Sequence, residues 1–272
     1  MIFSSINGVP DFEAEELSSK KRDYAVLIPV INEGERIRAE LRRALESGVY
    51  HHADIIICDG GSGDGSLDLD FLRSVNVNTL LTKKGAGKQG AQLRMGIWWA
   101  LLERKYCGII TVDGNNKDSI EDVPKFIEKL ECGYDLIQGS RFVKGGKAIN
   151  TPFVRYLSVR LIHAPIISLT AGKWFTDTTN AYRAYSSAYL LDERTDVFRD
   201  VFIGYELLAY LSVRATQLGY KACEIPVTRA YPKGEKTPTK ISRFKGNGNL
   251  MKILFKNLFR GYNPPRKKEN KC

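Results

Sequence analysis

The residues best placed to do chemistry in this 272-residue chain lie in GIITVDGNNKDSIEDV, positions 108–123. Gly108-Ile109-Ile110-Thr111-Val112 is a β-branched run, the pattern of a strand buried on both faces. It stops on Asp113, so a carboxylate emerges at the carboxyl end of a central strand, the edge where open α/β sheets bind ligands. Gly114-Asn115-Asn116-Lys117-Asp118 follows, and Ser119 with Asp122 then reads as a capping box for a helix carrying Val123, Phe126, Ile127 and Leu130. Strand, acidic tip, polar loop and capped helix together suit an anionic ligand or a metal. The plainer reading is a strand end followed by an Asn-rich turn. The rest of the chain decides between them.

A second acidic strand end is Asp59, closing Asp54-Ile55-Ile56-Ile57-Cys58-Asp59 before the glycine-rich turn Gly60–Ser66. Neither this turn nor Lys83–Gly90 gives GxGxxG directly after the first strand, and the second has no GK[ST]. Dinucleotide-binding and P-loop chemistry are therefore disfavoured. Five scattered cysteines without CxxC spacing, and three histidines without HExxH, argue for reduced thiols in a cytoplasm and against a zinc site.

Around these residues the chain alternates strand and helix with short loops for its first 140 residues. Strands are expected at Tyr24–Ile28, Asp54–Asp59, Thr79–Leu81, Gly108–Val112 and Asp135–Gly139. That alternation is the signature of a doubly wound, mostly parallel α/β sheet with helices on both faces. The stretch before Lys20 reads as a loosely ordered arm; it has no apolar h-region and so is not a signal peptide. After Gly139 come a basic glycine-rich loop, an amphipathic helical stretch over Thr151–Gly172 and a strand at Ala181–Tyr185. A helix over Gly204–Leu218 and a strand at Cys223–Val227 complete this part. The expected organisation is an arm over 1–22, a catalytic domain over 23–228 with its nucleotide-binding half to about 140, and a basic tail over 229–272.

Charge is concentrated in that tail: 13 Lys+Arg and 2 Asp+Glu fall in residues 229–272, leaving 28 and 29 for the remainder. An anionic partner is implied. The tail's helix, Asn249–Arg260, sets Leu250, Ile253, Leu254, Leu258 and Phe259 among lysines, which suits an anionic membrane surface or docking on the core. A nucleic-acid-binding protein would interleave aromatic and basic residues, but most aromatics of the tail fall on this amphipathic helix. A sugar-phosphate nucleotidyltransferase would carry a basic glycine-rich loop after the first strand, where Pro29–Glu33 is acidic. No apolar run reaches the roughly 20 residues that span a bilayer.

The ordered motifs resemble the family 2 glycosyltransferases of GT-A fold, and within them the dolichyl- or polyprenyl-phosphate mannosyltransferase-like group. Pro29-Val30-Ile31-Asn32-Glu33 resembles P-x-Y-N-E, with Ile31 in the tyrosine place, and Asp59–Ser66 resembles D-[DG]-G-S-x-D-G-[ST]. Asp113-Gly114-Asn115 sits where D-x-D belongs, Gly139–Phe142 matches G-S-R-[FY], and Asp177–Arg183 matches D-x-[TS]-[NS]-[GA]-[FY]-R. The resemblance covers about Tyr24 to Lys240. It implies an inverting transfer from a GDP- or UDP-sugar to a membrane-associated acceptor, a polyprenyl or dolichyl phosphate, on the cytoplasmic face of a membrane. It further implies that Pro29, Asn32, Glu33 and Asp59 line the nucleotide pocket, which Lys88 or Gln89 reaches, with Asp113, Gly114 and Lys117 also lining the donor site. Asp113 and Asn115 would hold Mg²⁺ or Mn²⁺ against the diphosphate, Arg141 would face the phosphates, and Arg155, Asp177, Arg183 and Lys240 would surround donor and acceptor.

Two departures stand out. Asn115 replaces the second carboxylate of D-x-D, and Lys117 occupies a place where the family often has Gln; a protonated ammonium cannot ligate a cation. The expectation is a weakened metal site, the alternative being that Lys117 partly takes over its electrostatic role. The spanning helices of many polyprenyl-phosphate enzymes are also missing, which leaves open a saccharide acceptor in surface-polysaccharide assembly. A base would then be needed, and Glu206 is the candidate, against its plainer reading as an ordinary helix carboxylate.

Overall fold

The computed structural model describes residues 1–232 and 245–265. Eleven strands lie among them: β1 (Ile2–Phe3), β2 (Phe12–Glu16), β3 (Tyr24–Val30), β4 (Asp54–Asp59), β5 (Val77–Lys83), β6 (Gly108–Thr111), β7 (Leu136–Ser140), β8 (Lys147–Ile149), β9 (Arg183–Ser186), β10 (Ala222–Pro226) and β11 (Thr228–Ala230). The helices are α1 (Glu35–Glu46), α2 (Leu69–Ser74), α3 (Gln89–Trp98), α4 (Val123–Glu131), α5 (Phe153–Ser158), α6 (Ala164–Ala171), α7 (Ser187–Leu190), α8 (Glu206–Gln217) and α9 (Lys245–Leu258).

Nine strands form one sheet in the order β1-β2-β5-β4-β3-β6-β9-β7-β10, and β8 pairs with β11 in a small second sheet. The centre, β5-β4-β3-β6, is parallel; β9 runs antiparallel between β6 and β7, and β1 and β2 run antiparallel at one edge. The period-2 alternation of β3 serves both faces. Ala25 and Leu27 join a core with Leu93 and Met95 of α3 and Leu207 and Leu211 of α8; Val26, Ile28 and Val30 join one with Ile37 and Leu41 of α1 and Phe126 and Ile127 of α4. Helices on both faces, as the alternation of elements predicts, leave the carboxyl ends of β3 and β6 side by side. Strand order reverses there, so a crevice opens.

Three local expectations change. The first 16 residues are not a loose arm: Phe12 is buried, stacks on Phe3 with ring centroids 4.9 Å apart, and both pack near Trp99. Ser119 and Asp122 do bond, but side chain to side chain, and Ser119 Oγ accepts from Thr228 N (3.0 Å) in place of capping its helix. The C-terminal helix is docked: Ile253 is buried in the main core, and Leu254 in a small cluster with Ile167 and Val213. Among the described residues, no helix is long and apolar enough to cross a membrane.

Candidate active site

One wall of the crevice is built by the loops after β3 and β4, which hold each other. Asp59 accepts from Ser62 N at 3.0 Å with each oxygen, and from Ser62 Oγ (2.6 Å). Ser62 Oγ accepts from Asn32 N (3.0 Å), Asn32 Oδ1 accepts from Gly63 N (2.9 Å), and Asp64 Oδ2 accepts from Gly34 N (2.9 Å). Asn32 takes a left-handed backbone (φ 48°), which its residue type tolerates. Pro29 sits on β3 and Glu33 pairs with Arg36 (2.8 Å). Gln92 of α3, which sequence reasoning missed, bridges the strand ends by donating to Val30 O and Cys58 O, both at 2.7 Å. A polar residue between Ala91 and Leu93 in a largely apolar helix was its signal.

The opposite wall carries Asp113. A Cβ on Gly114 would lie 2.9 Å from Val30 Cγ2 and 3.1 Å from Ile28 Cγ2, so only glycine lets this loop lie on β3. The partly exposed Asp113 carboxylate accepts from Gln89 Nε2 through Oδ1 (3.0 Å), and through Oδ2 from Arg229 Nη2 (3.1 Å) and Asn115 Nδ2 (3.4 Å). Arg229 was not foreseen. It is buried, its Nη1 donates to Asp118 Oδ2 and to Asn180 Oδ1 (3.2 Å), and backbone bonds set it there: Ser119 N to Thr228 O (3.0 Å) and Ala230 N to Lys117 O (2.8 Å). Tyr231 gathers three cations. Lys117 Nζ lies 5.1 Å from its ring centroid, the guanidinium carbons of Arg155 and Arg229 lie at 5.9 Å, and Arg155 Nη1 donates to Tyr231 Oη (2.9 Å).

These neighbours set the charge states. Burial opposes ionisation of Asp113, but the Arg229 and Lys117 charges outweigh it and hold the carboxyl below its usual range. Burial and the Arg229 charge push the Lys117 ammonium down, while Tyr231, despite burial, is drawn down by Arg229 and Arg155. The crevice is thus a positively charged, partly desolvated cradle.

Other expected residues have partners of their own, Arg141 close enough to the cradle for its charge to act on Asp118 and Tyr231. Arg141 does not face open space: it is buried against Asp177, with Nε to Oδ2 at 2.6 Å and Nη2 to Oδ1 at 2.9 Å. Arg183 is also buried, and donates to Leu208 O, Ser212 Oγ (2.8 Å), Thr178 O (2.9 Å) and Asn180 O (2.9 Å), tying β9 to α8. Glu206 accepts from Gly204 N (2.5 Å) at the start of its own helix. Lys88 is exposed at the N-cap of α3. Lys240 lies outside the described residues.

With this geometry in view, sequence relatives are informative. The chain is 30% identical over 207 residues, 74% of its length and 81% of the relative's, to an undecaprenyl-phosphate mannosyltransferase of Micrococcus luteus. This is a polyprenyl-phosphate mannosyltransferase-like family 2 glycosyltransferase. The enzyme is also 29% identical over 241 residues, 85% of its length and 84% of the relative's, to a polyprenol monophosphomannose synthase of Mycolicibacterium smegmatis. No family model matches it. Its GT-A fold is shared with glucosyl-3-phosphoglycerate synthase of Mycobacterium tuberculosis, solved with Mn²⁺, UDP and phosphoglyceric acid: TM-score 0.60, 14% identity, 90% of this chain and 80% of that one.

Among the described residues, the place of the second D-x-D carboxylate is taken by Asn115 and the next by Lys117, so fewer charged oxygens face a Mg²⁺ or Mn²⁺ ion. Both oxygens of Asp113 are engaged, Asp118 is turned to Arg229, and the third place is an ammonium. Asn115 Oδ1, Gln89 Oε1 and the second Asp118 oxygen, Oδ1, are buried with no donor among the described residues, so two neutral oxygens and one carboxylate oxygen are open. Those three oxygens lie beside the Arg229 and Lys117 charges, which oppose the entry of a dication.

Proposed function

We propose that this glycosyltransferase moves a hexosyl group, mannosyl by analogy with its relatives, from a GDP- or UDP-sugar to a polyprenyl phosphate at the cytoplasmic surface of a membrane. The observation that carries this reading is the cationic cradle of Asp113, Lys117, Arg155 and Arg229 at the strand-order reversal. In this reading the nucleotide lies along the wall built by Pro29, Asn32, Glu33 and Asp59. Lys88 and Gln89 enter from the α3 terminus, and the acceptor half lies beyond residue 140. The lipid phosphate attacks the anomeric carbon from the side opposite the departing diphosphate, so the configuration inverts. A phosphate monoester is already largely ionised at neutral pH, with a second pKa near ~6, and needs no protein base. Negative charge grows on the leaving diphosphate, and the cradle's cations offset it. Arg141 and Asp177 act as a buried pair that positions the 177–180 loop, whose Asn180 touches Arg229.

Membrane contact in this reading comes from the exposed apolar face of α5, the following turn and α6, with Phe153 (71% exposed), Val154 (75%), Leu161 (69%) and Leu169 (75%). Exposed Arg160 and Lys173 belong to the same stretch, and Phe255 of α9 with Phe259 just after it adds to this face beside Lys252 and Lys256. Such a mixture suits an anionic lipid surface. The saccharide-acceptor alternative rests on Glu206 as base, and its carboxylate is engaged by Gly204 N.

The test is transfer of labelled sugar from GDP-mannose, UDP-glucose and their relatives into organic-soluble product with polyprenyl phosphate. Lipid-linked product from one donor is expected. Transfer only to soluble saccharides would replace the lipid acceptor.

A further inference from the structure

The solved structural neighbour holds Mn²⁺ with its UDP, yet in this chain Asp113 is already satisfied by a guanidinium. Arg229 spans Asp113 and Asp118 with one fork, is itself buried, and is fixed by backbone bonds on both sides of it. A guanidinium is always charged, and its planar fork matches carboxylates on two sides. Three cations, Arg229, Lys117 and Arg155, meet around Tyr231, against the two carboxylates of Asp113 and Asp118. Before any ligand arrives, the described part of this cluster therefore carries net positive charge. A dication entering beside Asp113 would meet like charge on two sides and would compete with Arg229 for the carboxylate. A diphosphate would complete the charge balance.

We infer that Arg229 takes the place of the divalent cation on Asp113, and that the Arg229–Lys117–Arg155 cluster holds the donor diphosphate without a metal. This rests on the nucleotide-sugar reading above. Lys117 is a direct partner of the diphosphate, and Arg229 is a positioning residue that also supplies background charge. Asn115 Oδ1 and Gln89 Oε1, open neutral acceptors on residues bonded to Asp113, suit hydroxyls of the donor.

The experiment is calorimetric titration of GDP and UDP into the metal-stripped full chain, in EDTA and in excess Mn²⁺, alongside Mn²⁺ electron paramagnetic resonance. One nucleotide is expected to bind with affinities within about threefold in the two buffers, with no stoichiometric Mn²⁺ taken up in its presence. Lys117→Gln is expected to weaken the diphosphate about tenfold or more in EDTA while changing nucleoside monophosphate binding far less. Affinity that drops tenfold or more in EDTA, or one Mn²⁺ bound per chain with nucleotide, overturns the inference and leaves the donor reading standing. No binding of either nucleotide in either buffer overturns both.

Discussion

A buried guanidinium and carboxylate that lose one partner leave the other uncompensated, which costs about 3–5 kcal/mol. Arg141 and Asp177 are such a pair. Arg141→Ala is expected to lower stability by about that amount in denaturant titration, whether or not nucleotide is present. A loss confined to nucleotide binding would instead place Arg141 against the donor. Asp113→Ala removes a strand-tip carboxylate with little core packing, so transfer should fall by about 10²-fold or more in a chain of native circular dichroism. Substantial turnover in the folded variant would remove Asp113 from the site. Beneath the loop, Glu40 is fully buried and accepts from Asn116 N (2.7 Å); burial holds its carboxyl well above the ordinary 4.5. A raised folded pKa means that its contribution to stability is present below the unfolded value and is lost as pH rises through the folded one. Glu40→Gln keeps an acceptor and cannot ionise. Its melting temperature should therefore gain on the wild type as pH rises above the ordinary 4.5, and a constant difference would show that Glu40 does not titrate in that way.

At the scale of elements, β11 carries the most consequence for its three residues. Its pairing with β8 and its bonds to the 117–119 loop carry Arg229 onto Asp113, across 116 positions of chain. Helices α6 and α9 present one face to the core and another to solvent, α5 buries no side chain, and the buried and exposed faces make separable predictions. Phe153→Asp with Leu161→Asp should weaken sedimentation with anionic vesicles about tenfold or more and leave nucleotide binding intact, because neither side chain is buried. Unchanged sedimentation would remove this face from the membrane. Ile253 and Leu254 are buried, each contributing about 1.5–3 kcal/mol. Deleting the helix should therefore cost stability as well as any lipid contact.

For the whole molecule, a parallel centre with antiparallel flanks closes one edge with β1 and β2, and this is where the arm expectation failed. Phe12-Glu13-Ala14-Glu15-Glu16 alternates inward and outward as an edge strand does, but its acidic outward residues masked the signal. Removal of residues 1–16 should expose the β5 edge and the rings around Trp99, and produce a chain that melts lower and self-associates.

The parallel strands, the capable positions at their carboxyl ends and the family resemblance were all legible along the chain. They depend on local periodicity and on short motifs whose residues stay adjacent. Asp113 at a strand tip and the Asp59 turn need nothing distant, whereas the Gly114 contact with Ile28 and Val30 does. The buried partners of Arg141 and Arg183 were not legible, because they lie on segments far away in sequence. Lys117 could be seen as a departure, but Arg229 sat unremarked in a basic stretch. A charge count cannot tell a guanidinium buried between two carboxylates from one in water. Tertiary structure alone decided which cation reaches Asp113, since the register of β11 against β8 and the 117–119 loop sets that distance.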